Sequence, residues 1–387
     1  MPWPLLAAAA LAMFTAASSG TTRAPFLLDM ARDLSTSLAL VGNLVAATSV
    51  SWAVSGMLAG AGSDRWGRRP FLILGPIALC FALIGVASAR DFPEAILWSI
   101  ASGGCSGMFT GVIFAEVSAR VHATQQGRAL GWVMSGQSLT LLVGVPLAAF
   151  VGSLIGWRGV NLCVAALAAI SAGTMLLTTR GRPSGARARG SRAPSLRAAL
   201  SVPVIRLLGM GVMERICYGL TAVYFATFLQ STYHLTLSAV ALPLAVFASG
   251  NILGTILGGQ LADKLGNRTR TYAVAMVASG GTSLALFGWQ SDVATSVGLG
   301  FVYVFFNAIA RPAMLASLAE VPDHVRGTVM GLNVTCSSIG WIGAAGLGGL
   351  MIATQGFAAF GPVTAVVAVA GAGVALVQVS GSPRSSR

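Results

Sequence analysis

Three charged side chains stand inside otherwise uncharged apolar stretches of this 387-residue chain: Glu214, Arg215 and Arg311. Charge is expensive in apolar surroundings, so a residue kept there is a site candidate by default. A carboxylate beside a guanidinium can carry a proton or sense a cation, and the guanidinium sets how readily it does so. Tyr218 and Tyr224 share the stretch of Glu214 and add aromatic surface suited to an amphipathic organic compound. Asn307, just before Arg311, and Gln137 bring neutral donors and acceptors that can orient such a compound. A second constellation is the charged turn GAGSDRWGRR, which runs from Gly60 through Asp64, Arg65, Gly67 and Arg68 to Arg69. Its glycines permit a tight turn and close helix approach, and Asp64 can accept hydrogen bonds at a helix start or pair with an arginine. No nucleophile with a paired base, no phosphate-binding GxxxxGK[ST] loop and no metal-ligand cluster appears in the sequence. Cys80, Cys105, Cys163, Cys217 and Cys336 all lie in apolar stretches, in no CxxC pair, and are read as packing residues. A soluble enzyme, a cofactor, a metal and an ATP-driven pump are therefore not expected.

The elements that must position these residues follow from composition. The chain is 55% hydrophobic and 9% charged, where a soluble domain carries about a quarter charged residues. Uncharged stretches long enough to cross about 30 Å of hydrocarbon recur along its whole length. Twelve are expected, near 3–22, 38–59, 71–88, 95–115, 129–152, 159–178, 207–229, 236–261, 271–290, 293–317, 328–352 and 357–379. The first lacks a basic start and completes an even count, so it reads as a span rather than a signal peptide. The net charge of +13 reports topology: the side holding both termini, the 60s loop, the 180–206 segment and the 264–270 loop carries 18 of the 24 Lys and Arg. Arg23, Arg32, Arg90 and Arg158 fall on the other side. That bias predicts cytoplasmic termini and removes any need for a nucleic-acid partner. Within this frame Glu214 lies ten residues into the seventh span and Arg311 nine residues from Glu320 at the end of the tenth. Both are thus about 14 to 15 Å deep, and a Glu214–Arg311 pair is expected. Arg215 points about 100° away around the helix and is expected off that face.

The same text occurs twice. Gly60–Arg69 is echoed by GQLADKLGNR from Gly259 to Arg268, which carries Asp263, Lys264 and Gly266, displaced by about 200 residues. QGRALG at 126–131 is echoed by RGTVMG at 326–331, and Ala-Glu-Val recurs at 115–117 and 319–321. The chain therefore divides into an N-terminal six-helix bundle (1–179), a basic cytoplasmic linker (180–202) and a C-terminal six-helix bundle (203–387). The expected fold is an all-α integral membrane protein of twelve transmembrane helices in two parallel six-helix repeats. Arginines in the linker suit anionic lipid at the inner leaflet.

These motifs resemble the major facilitator superfamily, and the resemblance covers essentially the whole chain. Gly144-Val145-Pro146-Leu147 followed by Gly156-Trp157-Arg158 is similar to the fifth helix of drug:proton antiporters and sugar-efflux-like permeases. The resemblance implies secondary active transport by alternating access. It implies that Gly60, Asp64, Arg65, Gly67, Arg68 and Arg69 form a conformational latch, with a weaker copy at Asp263, Lys264, Gly266 and Arg268. In the fourth helix the family often has an arginine near the membrane centre, where this chain has Ser99. The expected function is proton-coupled efflux of a small organic or drug-like compound from a monomer in the cell inner membrane. Two other readings stay open: gradient-driven uptake of an organic anion, motivated by two arginines against one glutamate, and a non-transporting sensor or scaffold.

Overall fold

The computed structural model describes residues 1–122, 125–179, 201–265, 267–321 and 323–377, so most of the 180–202 linker and Gly266 lie outside the described residues. Among the described residues the chain is helical throughout. The spanning helices are α1 (Trp3–Thr21), α2 (Leu38–Trp66), α3 (Arg68–Ser88) and α4 (Phe92–Arg120). A short 3-10 turn, Ala24–Phe26, and a short helix, Leu27–Asp33, join α1 to α2. In the second half are α7 (Val202–Tyr233), α8 (Ala241–Lys264), α9 (Arg268–Gly288), α10 (Val293–Ala319), α11 (Asp323–Thr354) and α12 (Phe360–Leu376).

Eleven segments among the described residues are long and apolar enough to cross a membrane, and one of them, Arg128–Thr178, has 51 residues. As one straight helix it would reach about 77 Å, more than twice the hydrocarbon thickness. It is broken at Gly156, whose φ of 69° and ψ of 172° suit only glycine. We therefore count α5 as 126–155 and α6 as 157–178, which completes twelve crossings in two repeats. Within α5 the turn Thr140–Gly144 has π-helical hydrogen bonding and ends two residues before Pro146. Proline cannot donate to the helix ladder, so a local change of register there is expected.

The repeat is visible in the packing. α3 lies against α4 and the 145–178 segment; α9 lies against α10 and α12. Both α4 and α10 start on an aspartate cap: Asp91 accepts the Glu94 N–H at 2.9 Å, and Asp292 accepts the Thr295 N–H at 2.8 Å. The Thr295 bonds hold the Asp292 carboxyl below the usual carboxylate range. By contacts the chain forms two compact units. The first comprises the described residues of 1–187, 221–248 and 345–354; the second comprises those of 188–220, 249–344 and 355–387. The first has an apolar core that includes Leu6, Met13, Leu79, Leu83, Phe109 and Ile113. The second is centred on Met210, Tyr272, Met276, Ala310, Met314 and Leu318. Leu58, Phe81, Leu154, Leu242 and Val366 point outward, as they must where the solvent is lipid.

In unit 1 a Cβ on Gly103 would meet the Thr48 carbonyl and one on Gly107 the Trp52 carbonyl, so α4 rests directly on the α2 backbone. In unit 2 Gly250, Gly254 and Gly258 of α8 face the carbonyls of Phe301, Phe305 and Ile309 on α10 in the same manner. Close backbone approach of this kind is how helices gain van der Waals contact in lipid, where no hydrophobic force drives them together. Gly107→Leu and Gly254→Leu are expected to lower stability by about 1 to 3 kcal/mol or to block folding. Gly104→Leu and Gly259→Leu, where an added Cβ meets nothing within 4 Å, are expected to be neutral; thermal denaturation of the four purified variants checks this.

Candidate functional site

Glu214 is fully buried in the middle of α7, in unit 2. An isolated carboxylate in that position would cost far more than the helix gains, so its oxygens must find cations. Arg311 of α10 donates from Nη1 to Glu214 Oε2 at 3.3 Å, which fulfils the depth-based expectation. Arg215 donates from Nε to Oε2 at 2.7 Å and from Nη2 to Oε1, which corrects the expectation that it lies off this face. The helical angle fixes where Cα–Cβ points, but Arg215 has enough reach to fold back around the helix. Its guanidinium also lies 4.6 Å from the centre of the Tyr218 ring, a cation–π contact that helps hold the folded-back rotamer. Gly340 of α11 leaves the room: a Cβ there would collide with Arg215 Cβ.

The cluster is extended by hydroxyls and amides. Tyr218 is buried edge-on against Trp341 at 5.7 Å between ring centres. On α10, Tyr303, Asn307 and Arg311 succeed one another at four-residue spacing and therefore share a face. The Tyr303 hydroxyl donates to the Cys217 carbonyl at 2.6 Å, and Tyr272 donates to the Met210 carbonyl at 2.7 Å. Asn307 is fully buried and its Oδ1 has no hydrogen-bond partner among the described residues. A buried amide oxygen left open beside a charged cluster is a natural acceptor for a water, a proton carrier or a ligand group. Tyr224 and Gln137 do not join this cluster; both belong to unit 1. Tyr224 is buried with its hydroxyl on the Ala345 carbonyl at 3.0 Å, in a notch made by Gly42 and Gly348. Gln137 is half-buried on α5.

The charged turns are organised around carboxylates that the motif itself does not contain. Gly67 is the single residue between α2 and α3, with φ of 84°. Arg68 Nη1 then donates to the Ala115 carbonyl at 3.1 Å and lies 3.7 Å from Glu116, which also pairs with Arg120 at 2.6 Å. In the second copy Arg268 donates to the Ala262 carbonyl at 3.1 Å and pairs with Glu320. Glu116 and Glu320 are the glutamates of the two Ala-Glu-Val triplets, so the repeated triplet was the signal for them. Arg65 lies over the Trp66 ring at 5.7 Å. Gly60, Arg69, Asp263 and Lys264 are exposed, and the Asp64 side chain lies outside the described residues. At the corner between α5 and α6, Trp157 donates to Asp33 at 2.8 Å and Arg158 to the Ala89 carbonyl at 2.8 Å. Ser99 accepts from the Arg23 guanidinium at 2.9 Å, so a cation occupies that part of α4 after all, delivered from the end of α1. The apolar stretch stops at Thr22, one residue short of Arg23, so the sequence pattern alone places Arg23 in a loop.

The Glu116 side chain is 7% exposed and that of Glu320 is 68% exposed. Glu116→Gln is therefore expected to cost about 1 to 3 kcal/mol, since it leaves two arginines facing each other. Glu320→Gln is expected to cost under about 1 kcal/mol. Equal losses in a thermal or denaturant titration would contradict the ranking.

Comparison with known proteins places this geometry. The sequence profile of the Major Facilitator Superfamily matches residues 9–213 and 207–386. A chloramphenicol resistance protein of Streptomyces lividans is 27% identical over 93% of this chain and 96% of its own. An inner membrane transport protein, YdhP, of Escherichia coli O157:H7 is 28% identical over 98% and 96%. A chloramphenicol efflux pump of Mycobacterium tuberculosis is 26% identical over 83% and 79%. Among solved structures, a D-xylose–proton symporter superposes with a TM-score of 0.80 at 15% identity, covering 97% of each chain. A bacterial homolog of the human lysosomal transporter Spinster does so with 0.77 at 17% identity, over 97% of this chain and 93% of that one. With its twelve crossings and paired charged turns, the chain belongs to the major facilitator superfamily of membrane transporters.

Proposed function

We propose that this transporter exports small organic or drug-like compounds in exchange for protons, by alternating access, from the cell inner membrane. The observation that carries the reading is Glu214, a fully buried carboxylate bracketed by Arg215 and Arg311 from two helices. Such a group changes charge only if its partners move or a proton arrives, so protonation and helix movement are coupled by electrostatics. The open Asn307 Oδ1 and the Tyr218 ring supply a polar and an apolar contact next to it. Two relatives whose names carry chloramphenicol support the kind of compound, and the one named an efflux pump supports the direction. The latch residues of 60–69 and 263–268 hold the cytoplasmic ends of their helices in register, through Arg68–Glu116 and Arg268–Glu320. The excess of Lys and Arg in the 60s, 180–206 and 264–270 segments orients both termini to the cytoplasm. The functional unit is a monomer of two bundles, 1–179 and 203–387, joined by the basic linker.

A second reading, uptake of an organic anion, is favoured by the charge count in the cluster, two guanidinia to one carboxylate. Inverted vesicles separate the two. With an imposed pH gradient, export predicts accumulation of a chloramphenicol-like compound inside the vesicles, and dissipating the gradient removes it. Glu214→Gln is expected to abolish gradient-driven accumulation while sparing exchange of labelled for unlabelled compound. Unchanged accumulation in that variant would refute the carboxylate's role in coupling.

A further inference from the structure

We propose that Arg23 is a second recognition centre, in unit 1, and that it takes an anionic group, a carboxylate or its equivalent, on the transported compound. The proposal rests on the transport reading above but not on proton coupling. Arg23 follows α1 and precedes the 3-10 turn at Ala24–Phe26, yet its side chain turns inward and is 2% exposed. Nη1 donates to Ser99 Oγ at 2.9 Å and Nη2 to Ser102 Oγ at 3.1 Å, both serines being fully buried on α4. Ser102 in turn donates to the Ser99 carbonyl at 2.9 Å, and Thr48 of α2 donates to the Leu44 carbonyl at 2.8 Å and lies 3.4 Å from that of Ser99. The guanidinium is therefore seated on a built hydroxyl floor.

What the floor lacks is a negative charge. Among the described residues Arg215 and Arg311 share Glu214, and Arg68 and Arg120 share Glu116. Arg23 is more deeply buried than any of these and, among the described residues, has no carboxylate within ion-pair reach. Its Nε has no acceptor at all. Arginine keeps its charge under all ordinary conditions, and serine hydroxyls satisfy hydrogen bonds without cancelling it. Both Nη atoms are engaged on the serines, whereas Nε, half of the Nε–Nη edge that grips a carboxylate with two parallel bonds, is open. A residue serving only to staple α1 to α4 would need no charge.

The covering layer is also within unit 1. Gln230 near the end of α7 donates to the Pro25 carbonyl at 2.8 Å, two residues from Arg23. Tyr224, one turn and a half earlier, fits between Gly42 and Gly348, and Gly349 abuts the Ala39 carbonyl. Drawing these ends of α7 and α11 away from Pro25 and Ala39 would uncover the segment that carries Arg23. In that state the free edge meets an anion, while a cationic compound is repelled.

The test uses the full-length protein in lipid nanodiscs with three matched probes: 2-naphthoate, 2-naphthamide and 2-naphthylmethylamine. Apparent affinity is read from the ligand-dependent shift in melting temperature, with no gradient present. The wild type is expected to bind the carboxylate at least tenfold more tightly than the amine. Arg23→Gln should weaken the carboxylate at least tenfold and the amide less than twofold, and Arg23→Lys should retain most of the preference. Ser99→Asp, which supplies the missing counter-charge and keeps the arginine, should remove the preference without lowering the unliganded melting temperature; it serves if Arg23→Gln fails to fold. The proposal is overturned if the wild type binds none of the probes or ranks them equally. It is overturned equally if the preference survives Arg23→Gln or Ser99→Asp. Because no flux is measured, these results are independent of the Glu214 assay in vesicles.

Discussion

In hydrocarbon a charge has no water to fall back on, and that constraint organises both halves of this protein. Glu214 has two guanidinia on it, and its neighbours on α7, α10 and α11 are placed to keep them there: Tyr218 under Arg215, Gly340 of α11 beside it, and Arg311 on the same face as Tyr303 and Asn307. The arrangement stabilises the fold only while all of its members are present, since a partner removed leaves an uncompensated charge. The same bonds that hold α7 to α10 therefore also make the cluster sensitive to the loss of any one partner.

The glycine contacts set how closely the bonds can be drawn. Lipid gives helices no reason to associate beyond contact itself, so α4 on α2 and α8 on α10 approach until backbone touches backbone. At that separation the polar side chains that cross between helices, such as Thr48 towards Ser99, need little length. The short hydroxyl floor below Arg23 is a product of the same closeness.

Much of this was legible in the sequence because the signals were periodic or were counted along a helix. Crossing number and repeat follow from apolar length and a 200-residue offset, and the Glu214–Arg311 pair from equal depth. What was not legible depended on where the tips of long side chains go. Arg215 was excluded by the direction of its Cβ, yet several rotatable bonds carry its guanidinium back to Glu214. Arg23 was assigned to a loop, although its side chain reaches inward to α4. The 60–69 turn on its own points only to its internal acid, Asp64, whose side chain lies outside the described residues; the carboxylate that Arg68 reaches, Glu116, stands on a helix about fifty residues on. The π-helical turn at Thr140–Gly144 left no mark beyond the proline after it.

The glycine columns carry one further consequence. In the first half the bare surface belongs to the fourth helix and the carbonyl rail to the second; in the second half the bare surface belongs to the eighth, the counterpart of the second, and the rail to the tenth. Duplication therefore preserved the gap between partners and not the owner of the gap. What is inherited at such a bearing is a sum of two surfaces, and each surface is free to trade roles with the other. A transplanted helix from one repeat would bring bulk to bulk on one side and emptiness to emptiness on the other, however similar the two halves look in outline.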